Sequence, residues 1–318
     1  MVVWVLKDEK IGTYNQALGV ARALKVPFVE KNVKYTKFAR LPNFLKFNKV
    51  GISNIAEILD DENPPTLIIS AGRRLVNLAC FLKKRYGAKT VHLMNFGLFK
   101  RNKFDLIITP SHDGIKNLPL NMVEVLGSPH VLSDEVLDLA KQKWQDEFKD
   151  IKKPIVSLII GGSTKDRQFT KKMATNLCNL VLEKFKDYGV LVTTSRRTGE
   201  ENEKIISEML KPLNPYIYDF RSGKPNPYHG FLALSDALIV TGDSMSMCSE
   251  ACFTGKKVFI YAPQELISKK HARFHKSLFD EKYAVDFNEK TNIKLDFETK
   301  KFNPNECIVK IIKNKNLI

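Results

Sequence analysis

At 318 residues the chain is long enough for two domains of ordinary size, each with a core of its own. Hydrophobic residues make up 43% and charged residues 27%, which excludes a disordered chain; no apolar run approaches the roughly 18 residues that span a bilayer. Fifty-one basic against 35 acidic residues give a net charge of +16, which favours anionic partners such as nucleic acid, an anionic lipid surface or a phosphorylated ligand. Lys and Asn also accumulate for compositional reasons in AT-rich genomes, and the Lys-, Asn- and Ile-rich stretch 308–318 fits that origin.

The first apolar run, 2–6, reads as a buried strand: it is too short for a signal-peptide core and lacks a basic flank and cleavage site. Further short runs at 66–70, 90–94, 104–109 and 122–125 alternate with helix-like periodic stretches such as 16–24 and 75–86. Continuous short apolar runs alternating with helices predict a parallel sheet covered on both faces. Between the first two runs, residues 31–56 hold no Asp or Glu, yet include Lys34, Tyr35, Lys37, Phe38, Arg40, Phe44, Leu45, Lys46, Phe47 and Lys49. Interleaved basic and aromatic residues suit an anionic membrane surface or lipid-linked phosphates; the plainer alternative is a basic helix with its aromatics packed inward. Nucleic acid is disfavoured, because no nucleic-acid-binding module accompanies the patch.

Residues 132–153 are charged and helical, with Ser133 placed to cap, and they end at Pro154. A second series of apolar runs follows at 155–160, 189–194, 216–220, 237–241 and 257–261, with helical segments at 169–186 and 200–210 between them. The expected fold is α/β, with two Rossmann-like domains whose parallel sheets face a cleft, residues 1–150 and 151–318. Five cysteines, an odd number widely spread, argue for a reducing compartment over a disulfide framework. Cys248 and Cys252 share a helix face but have no His or second Cys pair near them, so they read as small core residues. The expected location is cytoplasmic, with peripheral association at the inner face of the cytoplasmic membrane.

In open α/β sheets ligands sit beyond the carboxyl ends of strands. After 155–160 comes Gly161-Gly162-Ser163-Thr164, either a phosphate cradle leading into a helix or a simple glycine turn. After 189–194 comes Arg196-Arg197, suited to a diphosphate or else a solvated basic turn. After 237–241 comes Thr241-Gly242-Asp243-Ser244, where Ser244 or Asp243 caps the next helix and Gly242 allows close backbone approach; Glu250, about two turns on, is a candidate ribose acceptor or a surface carboxylate. In the first half, Lys10-Ile11-Gly12-Thr13-Tyr14-Asn15-Gln16 follows the first run and Gly72-Arg73-Arg74 the second, while His112 beside Asp113 follows 104–109 and is a general-base candidate or an exposed loop histidine.

These residues resemble a known family. Asn226-Pro227-Tyr228, 237–247, Ser249-Glu250-Ala251 and Gly255-Lys256 are similar to the plant mitochondrial fission factor and its bacterial homologues, which are described as glycosyltransferases. The stretch 12–19, Ala71-Gly72-Arg73-Arg74, Phe104-Asp105-Leu106 and Pro110-x-His112-Asp113 match too, so the resemblance covers nearly the whole chain in order. It implies the two-domain GT-B architecture, as in the peptidoglycan N-acetylglucosaminyltransferase, with the nucleotide-sugar on the C-terminal domain and the acceptor on the N-terminal one. On that resemblance Gly162, Ser163 and Thr164 cradle the diphosphate and Arg196 or Arg197 neutralises it. Asp243 caps the helix, Ser244 and Ser246 beside Gly242 add phosphate donors, and Glu250 takes the ribose hydroxyls. Gly12, Thr13, Asn15, Gln16 and Arg73 lie on the acceptor side, with His112 the first-choice base and Asp113 the second. No metal or cofactor is implied, the nucleoside-diphosphate-sugar being a donor substrate. Two departures stand out: Tyr14-Asn15-Gln16 where the peptidoglycan enzyme's glycine loop ends in His, and Asn95-Phe96-Gly97 where bacterial relatives are expected to read Asp-Pro-Arg. The expected function is transfer of a sugar to a membrane-associated or cell-envelope acceptor. The alternatives are a non-catalytic peripheral-membrane scaffold of the fission-factor type and a nucleotide-sugar 2-epimerase.

Overall fold

The computed structural model describes residues 1–41, 49–294 and 299–318. Two compact units emerge: unit 1 is Met1–Val131 with Asn303–Ile318, and unit 2 is Leu132–Phe302.

Unit 1 begins β1 (Val3–Lys7), α1 (Ile11–Ala23), β2 (Phe28–Asn32), α2 (Ile55–Leu59), β3 (Leu67–Ala71) and α3 (Val76–Tyr86). It continues with β4 (Lys89–Leu93), β5 (Leu106–Pro110) and β6 (Met122–Val125). The strands form one parallel sheet in the order β2-β1-β3-β4-β5-β6. Alternate residues of β1 feed opposite cores, because successive side chains on a strand point to opposite faces. Val3 and Val5 join the cluster under α1, and Trp4 and Leu6 join the cluster under α3.

Unit 2 opens with α4 (Asp134–Trp144), capped by the Ser133 hydroxyl, which accepts from the Val136 amide at 3.3 Å. Then come β7 (Ile155–Ile159), α5 (Lys171–Lys184), β8 (Gly189–Thr193), α6 (Glu200–Leu210), β9 (Tyr216–Tyr218) and α7 (Tyr228–Leu234). The rest is β10 (Ala237–Thr241), α8 (Met245–Phe253), β11 (Lys257–Tyr261), α9 (Lys269–Asp280) and β12 (Val285–Asp286). The sheet is again parallel, in the order β12-β11-β10-β7-β8-β9. Its strands are buried on both faces, with Val156 and Leu158 in the core under α5, and Ile155 and Leu191 against Phe148 and Phe231.

The chain then returns to unit 1 as α10 (Pro304–Asn314), whose Ile308, Val309 and Ile312 join the α1 core. The packing therefore differs from a division at residue 150. Unit 2 starts at residue 132 because α4 packs on α7, and the last helix leaves it because its apolar face is buried with α1. Every apolar run read as a strand is one; β2 and β12 are added at the sheet edges.

Of the basic and aromatic segment at 31–56, Phe44, Leu45, Lys46 and Phe47 lie outside the described residues. Among the others, Lys31 is buried, ion-paired to Asp61 at 2.7 Å and 4.2 Å from the centre of the Trp4 ring, while Lys34 reaches Glu57 at 3.3 Å. Phe38 is exposed and Tyr35 half-buried.

Candidate functional site

In unit 2 the chain runs from β7 outward through β8 and β9, then returns to lay β10 on the other side of β7. The connections after β7 and β10 therefore diverge, which is the topological switch point where open α/β sheets leave a crevice for ligand. Three loops meet there: residues 160–164 after β7, 194–198 after β8 and 242–244 after β10.

Asp243 ties them together. Its side chain is fully buried; one oxygen accepts from the Thr241 hydroxyl at 2.7 Å, and the other from the Gly162 amide at 3.0 Å and the Arg197 guanidinium at 2.7 Å. A carboxylate cut off from water requires such a donor set. Asp243 is therefore not the helix cap expected from the sequence. Ser244 takes that role, its hydroxyl accepting from the Met247 amide at 3.4 Å. Both arginines are exposed, and Arg197 is anchored: its Nη1 also donates to the Ser163 carbonyl at 3.3 Å.

The glycines serve this knot. A Cβ on Gly161 would fall inside contact distance of the Asp243 carboxylate, and one on Gly162, whose φ is +138°, would strike the Arg197 carbonyl. The amides expected to cradle a diphosphate donate inward. Gly161 donates to the Thr241 hydroxyl at 2.8 Å and Gly162 to Asp243; Ser163 donates to the Arg197 carbonyl at 2.8 Å and Thr164 to the Arg167 carbonyl at 2.7 Å. The Ser163 hydroxyl accepts from the Phe169 amide at 3.0 Å. What faces outward at this rim is the Arg197 guanidinium, Arg196, and Ser246 in the first turn of α8.

Gly242 is buried against α9: a Cβ there would lie 2.6 Å from the His275 ring and 2.8 Å from the Ala262 methyl. His275 is 2% exposed, and His271, one turn earlier, has its imidazole pushed below its ordinary value by burial, against the pull of the Asp243 charge. Neither histidine was readable as a neighbour of the switch point, since α9 approaches it only through the fold.

Glu250 is half-buried and accepts from the Tyr228 hydroxyl at 2.5 Å; burial pushes its carboxyl up to about 7. Tyr228 is itself set by the Asn226 side chain, which accepts from its amide at 3.0 Å. Lys256 donates to the carbonyls of Leu232 and Ala233 at 2.8 and 2.6 Å, closing the end of α7, and burial lowers it to about 8. Asn226, Tyr228, Glu250 and Lys256 thus form one frame around α7 and α8. Cys248 and Cys252 turn into the core, at 0% and 1% exposure.

Unit 1 has its own switch point, between β1 and β3, because β2 lies to one side of β1 and β4–β6 lie beyond β3. A cavity of about 500 Å³ opens there, lined by Asp8, Lys10, Thr13, Gly72, Arg73 and Arg74 among others. Asp8 is buried and held by Arg74, by the Tyr35 hydroxyl at 2.8 Å and by the Lys10 amide at 2.8 Å. The Arg74 guanidinium stacks 4.2 Å from the Tyr35 ring centre, and burial beside Asp8 raises the Tyr35 phenol. Only the fold brings Asp8, Tyr35 and Arg74 together; in the sequence Asp8 is the first acidic residue after β1 and Arg74 the second arginine of the pair after β3.

Of the acceptor-side residues named from the sequence, Thr13 and Arg73 line this cavity. Helix α1 starts earlier than its apolar periodicity indicates, so Gly12 and Thr13 sit in its first turn, and Asn15 and Gln16 follow within the helix. Gln16 lines a separate narrow cavity with Ile108 and Val125. His112 is not an exposed loop histidine: it is 3% exposed, in a short 3-10 turn (Ser111–Asp113) after β5, and is not among the residues lining the β1/β3 cavity. Asp113 accepts from the Thr109 hydroxyl at 3.2 Å. Among the described residues no three His, Cys, Asp or Glu side chains gather into a metal-holding group, and no helix is long and apolar enough to cross a membrane.

The family model described as mitochondrial fission ELM1 matches residues 11–315. The Rickettsia prowazekii protein RP120 is 29% identical over an alignment of 349 residues, covering 98% of each chain. The mitochondrial fission protein ELM1 of Arabidopsis thaliana is 30% identical over 262 residues, 75% of this chain and 61% of that protein. Among solved structures, the UDP-GlcNAc 2-epimerase of Neisseria meningitidis, bound to UDP-GlcNAc, matches over 100% of both chains with a TM-score of 0.55 at 14% identity. A glycosyltransferase from Rickettsia africae matches over 99% of this chain and 87% of its own, with a TM-score of 0.54 at 12% identity. These two share the fold, two Rossmann-like units of the GT-B type. With its characteristic segments assembled around α7, α8 and the two switch points, the chain belongs to the mitochondrial fission ELM1 family.

Proposed function

We propose that the chain is a glycosyltransferase that takes a sugar from a nucleoside diphosphate held at the β7/β10 switch point and passes it to an acceptor held at the β1/β3 cavity. The observation that carries this reading is Arg197. Among the described residues its protein acceptors, Asp243 and the Ser163 carbonyl, both take from Nη1. A guanidinium carries five donors, so Nε and Nη2 serve a diphosphate without the cation having to be ordered first. Arg196 and the start of α8 add positive potential at the same rim, where charge develops on a departing diphosphate. Glu250, with one oxygen on Tyr228, offers the other to ribose hydroxyls. Gly242 and the Gly162–Thr164 loop shape this rim, while Ser244 closes the helix start and Ser246 reaches outward. His112, with Asp113 the alternative, is the base of this reading for an acceptor that extends from that cavity to the turn after β5. Membrane or lipid-linked acceptors fit the charge of the chain. A second reading, a chain that keeps the fold as a scaffold without transfer, is favoured by the inward-turned amides of 161–164.

Thermal-shift measurement with UDP, GDP, ADP and CMP separates the two. One of the four is expected to raise the melting temperature, and Arg197→Ala to weaken that ligand about tenfold or more, the scale of a lost charge-assisted contact. A folded protein that none of the four stabilises would overturn the transferase reading and leave the scaffold.

A further inference from the structure

The two most exposed large apolar side chains among the described residues are Leu120, at 98%, and Leu98, at 83%. They lie on segments that the structure joins. The Asn121 side-chain amide donates to the carbonyls of Arg101 and Phe104, both at 2.8 Å, and the Arg101 amide turns back to the Leu98 carbonyl at 3.4 Å. The Lys315 ammonium, just beyond α10, reaches the Leu120 carbonyl at 3.4 Å. Residues 95–104, 114–121 and 310–318 thus meet on one side of unit 1, around the β5 and β6 end of its sheet.

Those three segments contain no Asp or Glu, and they carry Lys100, Arg101, Lys103, Lys116, Lys310, Lys313 and Lys315. The acidic residues beside them are engaged: Asp105 holds Lys83 at 2.7 Å and the amide and hydroxyl of Thr90, Asp113 accepts from the Thr109 hydroxyl at 3.2 Å, and Glu124 accepts from the Ile115 amide at 3.4 Å. Two strongly exposed leucines thus stand within a field in which basic side chains outnumber acidic ones.

We propose that this face docks on an anionic lipid bilayer, with Leu98 and Leu120 entering the boundary between headgroups and acyl chains and the basic side chains resting on lipid phosphates. The basic field alone would suit nucleic acid as well; the leucines decide against it, since phosphates and sugars offer them nothing. Leucines that project singly bury little area on a rigid protein partner, whereas a fluid bilayer closes round each one. The surface lies at the opposite end of the sheet from β2 and is distinct from the basic and aromatic segment at 31–56. It stands independently of the nucleotide reading.

Co-sedimentation of the full chain with phosphatidylserine–phosphatidylcholine vesicles, against pure phosphatidylcholine, tests it. The chain is expected to bind the anionic vesicles and leave the neutral ones. Leu98→Asn with Leu120→Asn is expected to weaken partitioning about tenfold, the order expected for withdrawing two leucines from the interface. Lys103→Glu with Lys116→Glu is expected to weaken it comparably. All four side chains project from the surface, so an unchanged melting temperature shows that the variants fold. Absence of binding to anionic vesicles, or binding that survives the leucine change, overturns the proposal.

Discussion

Asp243 and Glu250 lie seven positions apart in one motif, and burial gives them opposite tasks. Asp243 has three donors on its two oxygens, so its charge is matched inside the protein and its work is to hold Arg197 and the Gly162 loop. Glu250 has the Tyr228 hydroxyl and a half-buried setting that disfavours its charge, which is why its carboxyl rises to about 7. The folded state therefore binds the Glu250 proton more tightly than the unfolded chain does. Stability from this group is full below the ordinary carboxylate range and is lost as the pH rises to about 7. Glu250→Gln keeps an acceptor for Tyr228 and removes the titration. Relative to wild type, its melting temperature is expected to gain between about pH 5 and about pH 8. Parallel wild-type and variant melting curves over that range would refute the assignment.

At the scale of elements, the loops after β7, β8 and β10 act as one piece because their backbones donate to one another. Gly162 is where that piece is tightest. Gly162→Ala has to place a Cβ against the Arg197 carbonyl at a φ of +138°, and is expected to cost at least about 2 kcal/mol in denaturant unfolding. Gly12, in the first turn of α1, has nothing within 4 Å of an added Cβ. Gly12→Ala is expected to leave stability unchanged or raise it by up to about 1 kcal/mol. Equal effects at the two glycines would contradict the packing described for the switch point. The same contrast separates what the sequence discloses from what it hides. The central strands are legible because burial on both faces makes them continuous apolar runs. β2, reading Phe-Val-Glu-Lys-Asn, and the two-residue β12 lie at sheet edges and carry no such run. The strand-end rule locates Arg197, Asp243 and Glu250, but it cannot divide their labour. That division depends on contacts such as Gly162 with Asp243, 81 positions apart, and Arg197 with Ser163, 34 apart. Likewise α1 begins before its apolar periodicity does, because its first turn is exposed and has no side-chain cap.

For the whole molecule the informative helix is the last one. Its residues follow unit 2 in sequence, yet Ile308, Val309 and Ile312 are packed with Val3, Val5 and the apolar face of α1. The register of the return is fixed by Asn305, whose amide donates to the His130 carbonyl at 2.7 Å while its oxygen accepts from the His130 amide at 3.2 Å. Composition near residues 308–318 reads as a basic tail, because the apolar stripe is interleaved with lysines and only the pairing with α1 assigns it to a core. If that pairing is structural, loss of one buried side chain should be felt in β1, β3 and α1, which are remote in sequence, and not in β7 or β10. Ile308→Ala, at a fully buried position, is expected to cost unit 1 about 2–5 kcal/mol. Hydrogen exchange read by mass spectrometry is expected to show faster exchange in peptides from β1, β3 and α1, with those from β7 and β10 unchanged. Faster exchange confined to unit 2 would mean that α10 belongs with the segment it follows in sequence, and the two-unit division would have to be redrawn at its carboxyl end.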